Sequence, residues 1–229
     1  MAEEIVAKGL EGVVASETSL SFIDGGQGTL LYRGYDIHDL AQEASYPEAV
    51  HLLWNGDLPG RDGLEAFEER LAEERALDGR IHDILRSLPP SASPMAALRT
   101  AVSALGALDP DAGDNAPDAN RRKATRLVAK FPTILAAFHR LREGEEPVEP
   151  EPSLGHAENF LFMLRDEAPT DVEARALDTS LLLYLDHGLN ASTFTCRVIA
   201  STLSDLYSAV TGGIGALGGA LHGGANEKA

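Results

Sequence analysis

The spacing of apolar residues along this chain changes once, near residue 36, and the change predicts the architecture. Before it, Ser19-Leu20-Ser21-Phe22-Ile23-Asp24 and Thr29-Leu30-Leu31-Tyr32-Arg33 flank Gly25-Gly26-Gln27-Gly28. Two short runs about a glycine-rich turn form a β-hairpin, the only β-structure the pattern predicts. From Asp36 onward the period is helical. Ile37, Leu40 and Ala41 keep i, i+3, i+4 spacing behind Asp36 as N-cap. A short helix runs from Pro47 to about Trp54 and stops at Asn55-Gly56. Leu64, Phe67, Leu71 and Ala72 mark another, with acidic residues on its outer face. Ser93-Pro94-Met95 joins an N-cap to a proline at the first helical position, opening a helix through Leu98, Ala101, Val102 and Leu105 to Leu108.

Asp109 to Asn120, rich in Asp, Pro, Gly and Asn, is expected to be a loop. Arg121 to Leu141 is helical, and Glu143 to Ser153 is an acidic, proline-containing linker. Helices then cover about Gly155–Arg165 and Val172–Asp186. A long one from Ala191 to about Thr211 places Phe194, Val198, Ile199, Leu203, Leu206 and Val210 on its apolar side. The prediction is a mostly α chain of eight or more helices with one short N-terminal hairpin.

Composition narrows the choice of partner. The chain carries 36 acidic against 19 basic residues, a net charge of −17. Such a surface suits neither nucleic acid nor anionic membranes, whose phosphates require clustered Lys and Arg. No apolar run is longer than that of Leu181 to Leu185, far short of the ~20 residues that span a bilayer. Met1-Ala2-Glu3-Glu4 has neither the basic start nor the apolar stretch of a secretory signal. The single cysteine, Cys196, fits a reducing compartment, so the expected location is cytoplasmic. Only Lys8, Lys123, Lys130 and Lys228 are lysines, a bias that, with the charge, points to a protein adapted to strong salt. At molar salt the screening length falls to ~3 Å and the self-repulsion is largely removed.

The candidate chemistry is sparse. Gly213-Ile214-Gly215-Ala216-Leu217-Gly218 matches a dinucleotide fingerprint in form, but it follows a helical stretch instead of a strand. Its glycines are read as close helix packing or a helix break. His38, His51, His82, His139 and His156 are read as structural or solvent-facing, and Cys196 as a small buried hydrophobe. No short-spaced histidine or cysteine pair suggests a metal site. His187 stands apart by position, in Asp186-His187-Gly188-Leu189-Asn190-Ala191-Ser192-Thr193, between two helices. Gly188 stops one helix, and Asn190 or Ser192 caps the next, whose free N–H groups favour a small anion. His222 lies among glycines in Leu221-His222-Gly223-Gly224-Ala225-Asn226-Glu227, where a ligand can approach closely. A helix starting near Ala225 would favour a neutral imidazole, able to donate a hydrogen bond to a developing enolate.

These stretches resemble citrate synthases. The segments are Leu20-Ser-Phe-Ile-Asp24, Tyr32-Arg-Gly-Tyr-Asp36, Ser93-Pro-Met-Ala-Ala-Leu-Arg-Thr100 and Asn159-Phe-Leu-Phe-Met-Leu164. Asp186 to Thr193, Ala200-Ser-Thr-Leu-Ser-Asp-Leu-Tyr-Ser208 and Leu221 to Glu227 match best, all in the family's order. The resemblance implies a multi-helical citrate synthase-like large domain over residues 1–221, with 222–229 starting the junction to a small domain. It implies a homodimer that condenses acetyl-CoA with oxaloacetate and hydrolyses citryl-CoA, needing no cofactor besides its CoA substrate. His222 would be catalytic, holding the thioester carbonyl, while His187 and Asn190 would bind oxaloacetate. Ala220 replaces a usual proline and Ser93 a frequent histidine.

Family members continue beyond this length, into a small domain with a catalytic aspartate, a second catalytic histidine and substrate-binding arginines. Residues 1–229 alone are therefore expected not to catalyse condensation. The alternatives are a 2-methylcitrate synthase, using propionyl-CoA on the same scaffold, or a truncated non-catalytic dimerisation partner.

Overall fold

Turn chemistry organises the head of the chain. Residues 16–223 are described by the computed structural model. Strands β1 (Ser21–Asp24) and β2 (Thr29–Tyr32) pair antiparallel, with Ser21 opposite Tyr32. Asp24 Oδ1 accepts from the N–H of Gly26 and Gln27 in the turn between them. The sheet has one more strand than the pattern predicts. Arg33 (φ 51°) and Gly34 (φ 93°) are both left-handed, so they form a two-residue turn that leads into β3 (Tyr35–Asp36). The result is a three-stranded meander, β1-β2-β3. An Arg-Gly pair is a weaker turn signal than Asn-Gly, which is why the sequence pattern showed only a hairpin.

Ten helices follow among the described residues, most started by side-chain caps legible in the sequence. Asp36 caps α1 (Ile37–Glu43), and Ser45 with Glu48 forms a capping box on α2 (Tyr46–Asn55). Next come α3 (Arg61–Glu73), α4 (Gly79–Ser87), α5 (Pro94–Leu108) capped by Ser93, and α6 (Pro117–Arg142). Then α7 (His156–Arg165), α8 (Asp171–Leu183), α9 (Ala191–Ser201) and α10 (Leu206–Leu217) complete the set. No helix among the described residues is long and apolar enough to cross a membrane.

Three expectations are corrected. Helix α4 was not anticipated: its buried pair, Ile81 and Leu85, is too short a stripe to stand out among charged neighbours. The loop after Asp109 ends at Ala116, because α6 begins on Pro117. Buried Lys123 fixes that loop from within, donating to the carbonyls of Ala112 (3.1 Å) and Asp114 (2.6 Å).

The third correction is the largest, since the long helix over 191–211 is two helices. Leu203 turns left-handed (φ 62°), and Asp205 caps α10 by accepting from Ser208 N–H at 2.9 Å. The apolar period ran on through the break and concealed it. The supposed apolar side is consequently not a core face. Helix α9 has no buried residue, Val198 is 49% exposed and Leu203 82% exposed.

The main core packs α4, α5, α6 and α10 through Ile81, Leu98, Val102, Ile134, Phe138, Tyr207 and Ile214. A second cluster joins the meander, α1 and α2 to Leu182 of α8. Between α5, α6 and α10, Asp109 accepts from Arg126 at 2.8 Å and from the Tyr207 hydroxyl. Met1–Glu4 and the helix expected near Ala225 lie outside the described residues.

Candidate active site at the start of helix α9

Close packing of α9 on α10 brings His222 back to the start of the helix that His187 precedes. The helices have 11 and 12 residues and are joined by a four-residue turn, so α10 returns alongside α9 to its beginning. Glycine makes the approach possible. A Cβ on Gly213 would collide with Cys196 Sγ, and one on Gly212 with Ile199 Cδ1. The glycine-rich run is therefore a helix-packing surface that ends in a turn, as its helical context predicted. Beyond α10, Gly219 accepts from His222 N–H at 2.9 Å, curling the chain back. His222 Nε2 then sits 3.0 Å from Ser192 Oγ in the first turn of α9.

The loop carrying His187 is tied to the meander. Tyr32, fully buried, donates its hydroxyl to the carbonyl of Asp186 at 3.1 Å, within reach of that of Leu183. The same oxygen accepts from Asp186 N–H at 3.1 Å. Burial raises the phenol pKa, so the group stays a neutral donor. Asp186 Oδ2 accepts from Gly188 N–H at 3.2 Å, where a φ of 70° turns the chain. His187 is solvent-exposed, its ring centroid 5.9 Å from that of Tyr184.

Asn190, one of the two expected caps, holds the end of α9: its Oδ1 accepts from Thr193 N–H at 2.9 Å and Ser192 Oγ–H at 2.7 Å. Two lone pairs are thereby filled, and its amide group remains for other partners. Ser192 was weighed from the sequence only as a cap. Its contact with His222 spans 30 residues, and no local pattern signals it.

The remaining histidines divide as read. His38 and His139 are exposed, whereas His156 is buried, stacked on Tyr46 at 5.1 Å. Cys196 is only partly buried; burial pushes its thiol pKa up.

His222 thus rests on the first turn of α9, and the exposed His187 lies three residues before that helix's cap, Asn190. The family model described as "Citrate synthase, C-terminal domain" matches residues 9–229. The chain belongs to the citrate synthase family. It is 54% identical over 225 residues to the citrate synthase of Haloferax volcanii, covering 96% of this chain and 59% of that protein. To the 2-methylcitrate synthase of Mycobacterium tuberculosis H37Rv it is 47% identical over 222 residues, 97% of this chain and 56% of the other. The Pyrobaculum aerophilum citrate synthase crystal structure superposes with a TM-score of 0.92 at 43% identity, over 97% of this chain and 57% of that one. The citrate synthase of Thermoplasma acidophilum, solved as a ternary complex with carboxymethyl coenzyme A and oxaloacetate, gives 0.92 at 34% identity, covering 98% and 59%. The chain thus spans less than two thirds of the length of these citrate synthase family relatives. The mostly helical, multi-helical fold anticipated from the citrate synthase resemblance is the one observed.

Proposed function

We propose that the complete protein condenses acetyl-CoA with oxaloacetate and hydrolyses citryl-CoA to citrate and CoA. The observation that carries this reading is the return of His222 onto Ser192, in the first turn of the helix that His187 and Asn190 precede. In it, His222 polarises the thioester carbonyl. His187 and the Asn190 amide bind oxaloacetate at the N-terminus of α9, whose N–H groups and dipole favour carboxylate. Residues 1–221 then form the large domain, 222–229 enter the small one, and no cofactor is needed beyond the CoA substrate. The proton-abstracting aspartate has no match in this chain, so residues 1–229 alone are inactive on this reading.

Homodimerisation fits the half-empty helices. Helix α8 buries only Leu182 while Val172 is 78% exposed and Tyr184, just past its end, 68%, and α9 buries nothing. A second copy would cover these faces. The net charge of −17 supports a salt-adapted enzyme, and the single cysteine fits a cytoplasmic location. The 47% identity to a 2-methylcitrate synthase supports a second reading, in which propionyl-CoA is the acyl donor.

His187→Ala in the complete enzyme tests the assignment. The expected result is a raised KM for oxaloacetate with that for acetyl-CoA little changed. Equal effects on both would overturn it, and relative turnover of acetyl-CoA and propionyl-CoA decides between the two donors.

A further inference from the structure

The hydrogen bonds at the start of α9 determine where one proton lies. Asn190 Oδ1 faces Thr193 N–H at 2.9 Å, and a backbone N–H only donates, so the facing atom is the carbonyl oxygen and the amide orientation is fixed. Ser192 Oγ lies 2.7 Å from the same Oδ1. That oxygen has no hydrogen, so Ser192 donates its single proton to Asn190. Only lone pairs remain on Ser192 Oγ to face His222 Nε2 at 3.0 Å. The ring nitrogen must therefore be the donor. His222 carries its proton on Nε2, and Nδ1 is the nitrogen left without one in the neutral ring.

We propose that Asn190 is a positioning residue that, acting through Ser192, sets which ring nitrogen of His222 is protonated. The consequence for catalysis rests on the function proposed above, in which His222 donates to a thioester carbonyl. Its Nε2–H is engaged by Ser192, so the donation has to come from Nδ1. Reaching that form takes no net proton: Nε2 releases one to water and Nδ1 takes one up. Ser192 then turns its hydroxyl from Asn190 Oδ1 to the bare Nε2. Asn190 keeps its bond from Thr193 N–H throughout, so the helix cap survives the change. One O–H···O bond is exchanged for one O–H···N bond, and Asn190 and His222 compete for a single serine proton. A carboxylate at position 190 would hold that proton more strongly, because hydrogen bonds to ionised acceptors are roughly twice as strong as neutral ones. Alanine would release it.

The test is ¹⁵N NMR of the complete protein labelled in histidine, at a pH where the ring is neutral, with His222→Gln to assign the signals. In wild type and Asn190→Asp, the upfield, protonated-type resonance is expected at Nε2. Asn190→Ala is expected to move it to Nδ1, and Ser192→Ala, which keeps the cap, to give a mixture of both. An Nδ1–H pattern in wild type overturns the proposal, as does a pattern unchanged in folded Asn190→Ala. Should Asn190→Ala fail to fold, the wild-type tautomer decides, since Nε2–H facing Ser192 Oγ requires the serine proton to lie on Asn190. The readout is the tautomer and not turnover, so its failure is distinct from failure of the condensation reading.

Discussion

Acid should destabilise this protein through one buried imidazole, and the size of the effect can be worked out. His156 is the first residue of α7 and only 7% exposed, with its ring stacked on Tyr46. Its Nδ1 is buried with no hydrogen-bond partner among the described residues. Burial, with the Arg75 guanidinium as a secondary cause, pulls its pKa down to about 4 from 6.5. A base with a lowered folded pKa is neutral in both states above pH 6.5 and contributes nothing there. Between 6.5 and 4 the unfolded chain binds a proton that the folded one refuses, so stability falls as pH falls. At pH 4.5 the unfolded state gains ~2.7 kcal/mol from protonation and the folded state ~0.2, a net loss of about 2.5 kcal/mol. Below pH 4 the penalty levels off.

His156→Phe keeps a ring against Tyr46 while removing both the titration and the unpartnered nitrogen. Urea denaturation of both proteins at pH 7 and pH 4.5, in high salt to suppress general charge repulsion, measures the difference. The wild type should lose about 2.5 kcal/mol more than the variant over that interval. Equal losses would show that His156 is protonated in the folded state or lies open to water, and the reasoning would fail.

Other outcomes follow from the packing and the charge. Gly213→Val should force α10 off α9 at Cys196 and Ser192, lowering stability by about 1–3 kcal/mol, as overpacking does, in thermal melts. Tyr32→Phe should leave the part-buried Asp186 N–H without its acceptor, destabilising by ~1 kcal/mol in denaturant titrations, and should raise KM for oxaloacetate through the displaced His187 loop. With 36 acidic against 19 basic residues, the melting temperature should climb from dilute buffer to molar potassium chloride, and a flat series would remove the salt-adaptation argument.

Local chemistry was readable from the sequence because its causes are local. Asp36, Ser45, Ser93 and Asn190 cap helices with side chains that reach only two or three residues along the chain. The helical period located the other elements, and the ordered family motifs named the two histidines. The break at Leu203 was hidden because an apolar spacing of 3.6 continues across a turn that preserves phase. Helix α4 was hidden because two buried residues carry little periodic signal. What only the tertiary structure decided is the meeting of Ser192 with His222. That meeting depends on two helices of nearly equal length lying antiparallel, and on glycines at 212 and 213 that let them touch. The tertiary structure alone also brings Tyr32 across 154 residues to hold Asp186. No pattern along the chain records which side chain will accept a given proton. The distances from Ser192 to Asn190 and to His222 exist only once both helices are packed.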